Sequence, residues 1–233
     1  MSDADFDARR QKGREMAGKL QATGEEAGRP LDWFEDLYHH AKGDMAAVPW
    51  ANSGPHAGLA GWLADTDLAL QGTAIDVGCG LGDNAIALQQ AGFDVTAFDL
   101  SNTAIDWAKQ RHQASGVSFQ QADLFELPPK WIGAFDLVHE TYTIQALKGT
   151  LRAAAFAEIA SLVKPGGKLL AVCRSRPDEQ PTSGPPWPIS PEEMENFTKA
   201  GLVVEKFEEF DVVKDRIIPH FRVLYRAREH HDE

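Results

Sequence analysis

The stretch TAIDVGCGLGDNAIALQQAGFDVTAFDLS, residues 73–101, crowds four glycines and four aspartates together. Gly78, Gly80 and Gly82 alternate along it, and Asp76, Asp83 and Asp99 stand around them. A glycine turn between a strand and a helix presents bare backbone N–H groups to a ligand. An acid about 20 residues further on, here Asp99, can accept hydrogen bonds from ribose hydroxyls. The stretch therefore has the parts of a site for a nucleotide-containing cofactor. Proton-handling groups lie elsewhere: His39, His40, His56, His139, Glu140 and Tyr142 are the candidate general bases. Imidazole titrates near neutrality, and a protic acceptor must lose its proton during reaction.

Two cofactors fit this arrangement, NAD and S-adenosylmethionine, and Asp99 serves either. A pyrophosphate relies on the positive end of the helix, where Asp83 stands, and Asp76 adds a second carboxylate just before the loop. S-adenosylmethionine carries no phosphate. Its ammonium suits a carboxylate, and its own carboxylate suits the loop N–H groups. Asp76 and Asp83 thus favour S-adenosylmethionine.

These residues need rigid elements to hold them. TAIDVGCG is an apolar run closed by glycine, a buried strand. NAIALQQAG is a helix stopped by Gly92, and FDVTAFDLS is the next strand. NTAIDWAKQRHQASG is a helix with Ser101 as N-cap and Gly116 at its end. VSFQQADLF, AFDLVHE and KLLAVCRSR read as further strands, with the helix LRAAAFAEIASLV before the KPGG turn. Alternating strands and helices indicate βαβ units and a parallel sheet. PEEMENFTKAG starts a last helix, with Ser190 as cap, Pro191 at the first position and Glu193 three residues on. LVVEKFEEF and HFRVLYRAR close the chain as strands, the first alternating as an edge strand does. Residues 1–30 are polar and are expected as a frayed or weakly helical arm, followed by a helical segment over 31–69 and a core over 70–233.

In order and spacing, IDVGCGLG, FDLS, QADLF, FDLVHE and LVKPGGKLL resemble the successive motifs of class I S-adenosylmethionine-dependent methyltransferases. The resemblance covers about residues 70–175. It implies a Rossmann-like three-layer α/β sandwich, with a seven-stranded, mostly parallel sheet whose last strand is antiparallel. It places Asp76, Gly78 and Gly80 at the methionine end of the cofactor and Asp99 at the ribose. Leu100 would lie under the adenine, Asp123 and Leu124 would contact it, and Glu140 would face cofactor and substrate. At each aspartate the alternative is a turn or cap role.

DWFEDLYHHAKGDMAAVPW resembles the N-terminal lid of the thiopurine, thiol/halide and tellurite-resistance-type methyltransferases. Trp33 matches its first aromatic and Trp50 one near its end. An aromatic face attracts a sulfonium, and ordinary helix packing is the alternative. SGPPWPIS resembles the loop bordering the acceptor pocket of the thiopurine group, where Trp187 would form a wall or merely pack a proline-rich crossover. An Asp-Arg pair after the fourth strand of that group is replaced by Glu140 and Thr141, so the arginine that meets an anionic substrate is missing there. Arg152 substitutes for it only if it points inward.

Methyl transfer from a sulfonium needs placement and a dry site more than side-chain chemistry. The catalytic candidates are His139, Glu140 and Tyr142, and the acceptor-binding candidates Trp50, Arg152 and Trp187. The expected acceptor is a small molecule: a thiol, a halide, or an aromatic hydroxyl or amine. The competing functions are a non-catalytic S-adenosylmethionine-binding module and an NAD-dependent oxidoreductase. A net charge of -12 and the lack of a basic stretch argue against nucleic acid as a partner. The charged start has no apolar signal region and no run spans a bilayer, so no membrane partner is expected. Cys79 and Cys173 read as reduced thiols of a cytoplasmic protein. The tail EHHDE reads as a solvated end and not a metal site. Nothing in the chain fixes an oligomeric state.

Overall fold

The computed structural model describes residues 3–66, 70–182, 184–213 and 216–229. The last four residues of the tail lie outside them. Seven strands form one sheet: β1 (Thr73–Val77), β2 (Asp94–Asp99), β3 (Ser118–Gln121), β4 (Phe135–Thr141), β5 (Val163–Arg174), β6 (Leu202–Val213) and β7 (Ile217–Ala227). Their order is β3-β2-β1-β4-β5-β7-β6. β1 pairs in parallel with β2 and β4, β2 with β3, and β4 with β5. β7 runs antiparallel to both β5 and β6. The last strand is thus the antiparallel one, and alternating β6 is the edge.

Helices cover both faces. Ile75, Val77 and Val138 pack with Phe156 of α6 (Gly149–Ser161) and Phe197 of α7 (Pro191–Lys199). Ala74 and Leu137, pointing the other way, pack with Leu59 and Trp62 of α3 (Ala57–Asp65), Leu88 of α4 (Asp83–Ala91) and Ile105 of α5 (Asn102–Arg111). Neighbouring residues of a strand alternate between the two cores because successive side chains point to opposite faces. Local chemistry sets the helix ends. Ser101 caps α5 by accepting from Ala104 N, and Ser190 and Glu193 form a capping box on α7 with Pro191 in its first turn. Strand order reverses between β1 and β4, so a crevice opens at the carboxyl ends of these strands.

The N-terminal stretch differs from expectation. It forms α1 (Asp3–Glu26), which packs on α2 (Asp32–Ala41) and on the short turn Met45–Ala47. Its inner face carries Arg10, Gly13, Ala17 and Gln21, spaced three and four apart. Gly13 explains why no apolar stripe announces it. A β-carbon there would stand 2.3 Å from the Ala47 carbonyl oxygen, so the helix docks by close backbone approach and not by large side chains.

Candidate active site

A cavity of about 1030 Å³ occupies that crevice. This is at the upper end of small-molecule sites, ~300–1,000 Å³, and has room for a cofactor and a second molecule. Its floor is the glycine loop. Gly78, Gly80 and Gly82 have φ of 61°, 52° and 84°, which side chains resist. A β-carbon on Gly78 would meet Thr143 Oγ1 at 2.6 Å, and one on Gly80 would meet the Tyr38 hydroxyl at 2.9 Å. Beside the loop, Asp99 Oδ2 accepts from Gly80 N and Oδ1 from Ser101 N, both at 2.9 Å. Burial pushes the Asp99 carboxyl up to about 6, although these two N–H groups pull it down. Leu100, Asp123 and Leu124 continue the wall. Asp123 Oδ1 accepts from Phe125 N at 2.8 Å, holding the bend after β3 open toward the cavity.

α1, α2 and the residues to Trp50 form the roof. Trp33 stacks on Phe34 at 4.1 Å and meets Trp50 edge-on at 5.8 Å. Trp50 Nε1 donates to the Tyr38 hydroxyl at 2.8 Å. Glu35 of α2 ties this roof to the core. It accepts from Ser101 Oγ and from the Thr103 N–H and hydroxyl at the start of α5. Burial opposes the Glu35 charge, yet these hydrogen bonds hold its carboxyl below the usual value.

Beyond the loop the cavity is lined by His56, Tyr142, Gln145, Arg174, Arg216 and Ile218. Tyr142 follows β4 with φ 72°, a conformation rare outside glycine. Its hydroxyl lies 2.8 Å from His56 Nε2 and 2.7 Å from His220 Nε2. The Arg174 guanidinium stands 5.7 Å from the centre of the Tyr142 ring. Arg174 Nε is buried without a partner, and among the described residues no carboxylate pairs with this arginine.

A family profile described as a methyltransferase domain matches residues 74–167. The chain is 26% identical over 210 residues to probable thiol methyltransferase 2 of Arabidopsis thaliana, covering 83% of this chain and 89% of that protein. It is 27% identical over 179 residues to thiocyanate methyltransferase 1 of the same plant, covering 75% and 72%. A solved structure described as conversion of a disulfide bond into a thioacetal group during echinomycin biosynthesis superposes with a TM-score of 0.69. It is 22% identical and covers 85% of this chain and 93% of that one. Residues 74–167 match a methyltransferase domain, and the chain is similar to S-adenosylmethionine-dependent methyltransferases.

The methyltransferase brings ten of the sequence candidates to its cavity: Trp33, Trp50, His56, Gly78, Gly80, Asp99, Leu100, Asp123, Leu124 and Tyr142. Others lie elsewhere. Asp76 and His139 are cross-strand neighbours beneath the loop, fully buried, with His139 Nδ1 donating to Asp76 Oδ1 at 2.7 Å. Glu140 is buried and caps the turn after β4, its Oε1 accepting from Thr143 N at 2.7 Å and Ile144 N at 3.2 Å. Burial pushes its carboxyl up to about 8. None of these three lines the cavity, so the methyltransferase does not place His139 or Glu140 against a substrate. The reason is the strand itself: β4 runs in the middle of the sheet, and its side chains are covered on both faces.

Arg152 and Trp187 line a separate hollow of about 410 Å³. Arg152 donates to Glu193 at 2.7 Å and to the Leu147 carbonyl at 2.8 Å, which fastens α6 to α7. Asp83, expected to repel a phosphate, is matched by both terminal nitrogens of Arg111 at 3.0 Å, so its charge is neutralised inside the methyltransferase. His39 and His40 are exposed on α2. Tyr38, Arg174 and His220 were not legible as site residues. Among the described residues no group of three or more metal-ligating side chains forms, and no helix is long and apolar enough to cross a membrane.

Proposed function

We propose that this methyltransferase transfers the methyl group of S-adenosylmethionine to the sulfur of a small thiol or sulfur anion. The observation that carries the proposal is Arg174, a cation facing the cavity beside Tyr142, with a buried Nε donor and no carboxylate partner among the described residues. A guanidinium without a carboxylate partner attracts an anionic acceptor. Arg216 lines the same cavity. The similarity to thiol and thiocyanate methyltransferases supports the same acceptor chemistry.

The residues fit the cofactor. Cys79 N and Gly80 N already donate to the Phe98 carbonyl and to Asp99, which leaves the loop N–H groups of Gly78 and Leu81 to take its carboxylate. Asp99, with lone pairs left beyond its two backbone bonds, would take the ribose hydroxyls, and Leu100, Asp123 and Leu124 would hold the adenine. Gly80 leaves the space that a β-carbon would fill. Trp33 and Trp50 close the site against water, which strengthens every charge interaction inside. Asp76 acts through the loop it underlies and not by contact. When bound, the cofactor supplies an activated methyl group; the protein supplies alignment and an anion site.

The test is formation of S-adenosylhomocysteine with thiols, thiocyanate, iodide, phenols and amines. Turnover with thiols or thiocyanate is expected, with KM raised at least tenfold in Arg174→Ala. Turnover confined to phenols or amines would count against the proposal.

A further inference from the structure

His56, Tyr142 and His220 form a hydrogen-bond chain whose direction two backbone contacts constrain. The Gly58 N–H donates to His56 Nδ1 at 3.1 Å, so this nitrogen is bare and the ring proton sits on Nε2. His56 Nε2 therefore donates to the Tyr142 hydroxyl oxygen at 2.8 Å. At the other end His220 Nδ1 is 2.8 Å from the Ile218 carbonyl, which only accepts, so His220 carries its proton there. In the neutral ring Nε2 then carries no proton and accepts the Tyr142 hydroxyl proton at 2.7 Å. The Tyr142 oxygen also faces the Arg174 guanidinium, and the residue lines the cavity, where an acceptor can take that place.

We infer that Tyr142 and His220 form the proton relay that activates a protic sulfur acceptor, a thiol, in this site. The inference rests on the S-methylation reading above and narrows it from sulfur acceptors in general to those that carry a proton. The acceptor S–H proton passes to Tyr142 Oη as the tyrosine's own proton passes to His220 Nε2. The freed sulfur lone pair forms the S–CH₃ bond while the bond from that methyl to the sulfonium breaks, its electron pair staying on the sulfur of S-adenosylhomocysteine. The proton leaves His220 by the same path to water after product release. Tyr142 is the catalytic residue here; His56 is a positioning residue that fixes the tyrosine oxygen.

Three features support this assignment. The left-handed backbone of Tyr142 is strained for a residue with a β-carbon, and the clamp of two imidazoles holds the ring there. Arg174 on β5, the cross-strand partner of His220, faces the same oxygen and favours negative charge on it. The remaining charged neighbours on β7 and β6, Arg222 and Glu208, pair with each other at 2.9 Å. Burial keeps the Tyr142 phenol above its ordinary value, so it relays a proton and is not a standing base.

The test compares 2-mercaptoethanol, which must lose a proton, with thiocyanate, which has none. In Tyr142→Phe the ratio of kcat/KM for the thiol to that for thiocyanate should fall at least about 10²-fold at pH 7, the range of general acid–base catalysis. The deficit should shrink about tenfold per pH unit as the thiol ionises by itself. Nitrogen-15 NMR of the full-length protein without cofactor should show His220 protonated on Nδ1 only and His56 on Nε2 only. An unchanged ratio in Tyr142→Phe, or His220 protonated on both nitrogens or on Nε2 alone at pH 7, overturns the relay while leaving S-methylation standing. A wild-type protein that binds S-adenosylmethionine but methylates neither probe overturns both readings, whatever the tautomers.

Discussion

The carboxylate of Asp99 accepts the N–H of Gly80 at 2.9 Å, so the acid at the end of β2 also fixes the shape of the loop at the end of β1. Its protonation state therefore governs two things at once. With a carboxyl pushed up to about 6, Asp99 is ionised at neutral pH and half protonated near pH 6. Affinity for S-adenosylmethionine should fall as pH drops below about 6, by up to tenfold per unit, as the charged acceptor is lost. Asp99→Ala should weaken binding at pH 8 by roughly tenfold to a hundredfold, the ~1.5–3 kcal/mol of a hydrogen bond to a charged group. It should also abolish the pH dependence between 5 and 7. Calorimetric titration across that range checks both statements; a variant that retains the wild-type slope would show that another group titrates.

Glu140 has a different consequence, for stability. Its carboxyl, near 4.5 in an unfolded chain, is pushed up to about 8 in the folded one. Below pH 4.5 it is neutral in both states and its contribution is fully present. As pH rises, the unfolded chain ionises while the folded chain keeps the proton, so the contribution is lost progressively up to about pH 8. Each pKa unit is worth about 1.4 kcal/mol. Glu140→Gln keeps an oxygen for the Thr143 and Ile144 N–H groups and removes the titration. The Tm of the variant relative to wild type should rise by several degrees between pH 5 and 8.5. A constant difference over that range would mean that Glu140 titrates normally.

Much of the cavity floor proposed to hold the cofactor was legible because it is local. A glycine loop, the strand before it and an acid after the next strand lie within residues 73–101, and sequence spacing alone sets their geometry. Ser101 and Ser190 were legible as caps for the same reason. The acceptor end is not local. Arg174 and His220 meet through the β5–β7 register, and His56 reaches Tyr142 across the sheet from the start of α3. No sequence spacing encodes an antiparallel register across an intervening helix. Arg152 looked like a candidate because it is a lone arginine after β4, but Glu193, far along the chain, captures it. Asp83 likewise has a distant partner, since Arg111 neutralises it from another helix, although the cofactor it pointed to stands.

The roof depends on Glu35. Its carboxylate sits at the N-terminus of α5, where orphan N–H groups and the helix dipole favour a negative charge. Glu35→Ala removes the tie between α2 and the segment that carries Asp99 and Leu100. The expected loss is about 0.5–2 kcal/mol in stability, the range of a helix cap. Because the roof then moves relative to the cavity floor, cofactor affinity should fall three- to tenfold. Hydrogen exchange should speed up in α2 and leave β1 and β4 protected. Faster exchange throughout the sheet would mean that Glu35 supports the whole fold and not the roof.

Gly80 and Tyr38 test whether the roof touches the loop. Gly80 sits at φ 52°, and a β-carbon there would stand 2.9 Å from the Tyr38 hydroxyl. Alanine at this position has two separable costs. The left-handed backbone costs ~1–2 kcal/mol for any residue with a β-carbon. The collision with Tyr38 is a second cost, and it falls on the roof. Gly80→Ala should therefore lower Tm by a few degrees and weaken S-adenosylmethionine binding at least tenfold. Adding Tyr38→Phe deletes the oxygen that the new methyl meets. It also leaves Trp50 Nε1 without its acceptor, so Tyr38→Phe alone should be mildly destabilising. The two changes share one contact and should not be additive. The double variant should regain a substantial part of the lost affinity while its Tm stays low, because the backbone strain remains. Equal affinity in the single and double variants would show that the loop distorts by itself and that the roof does not rest on Gly80.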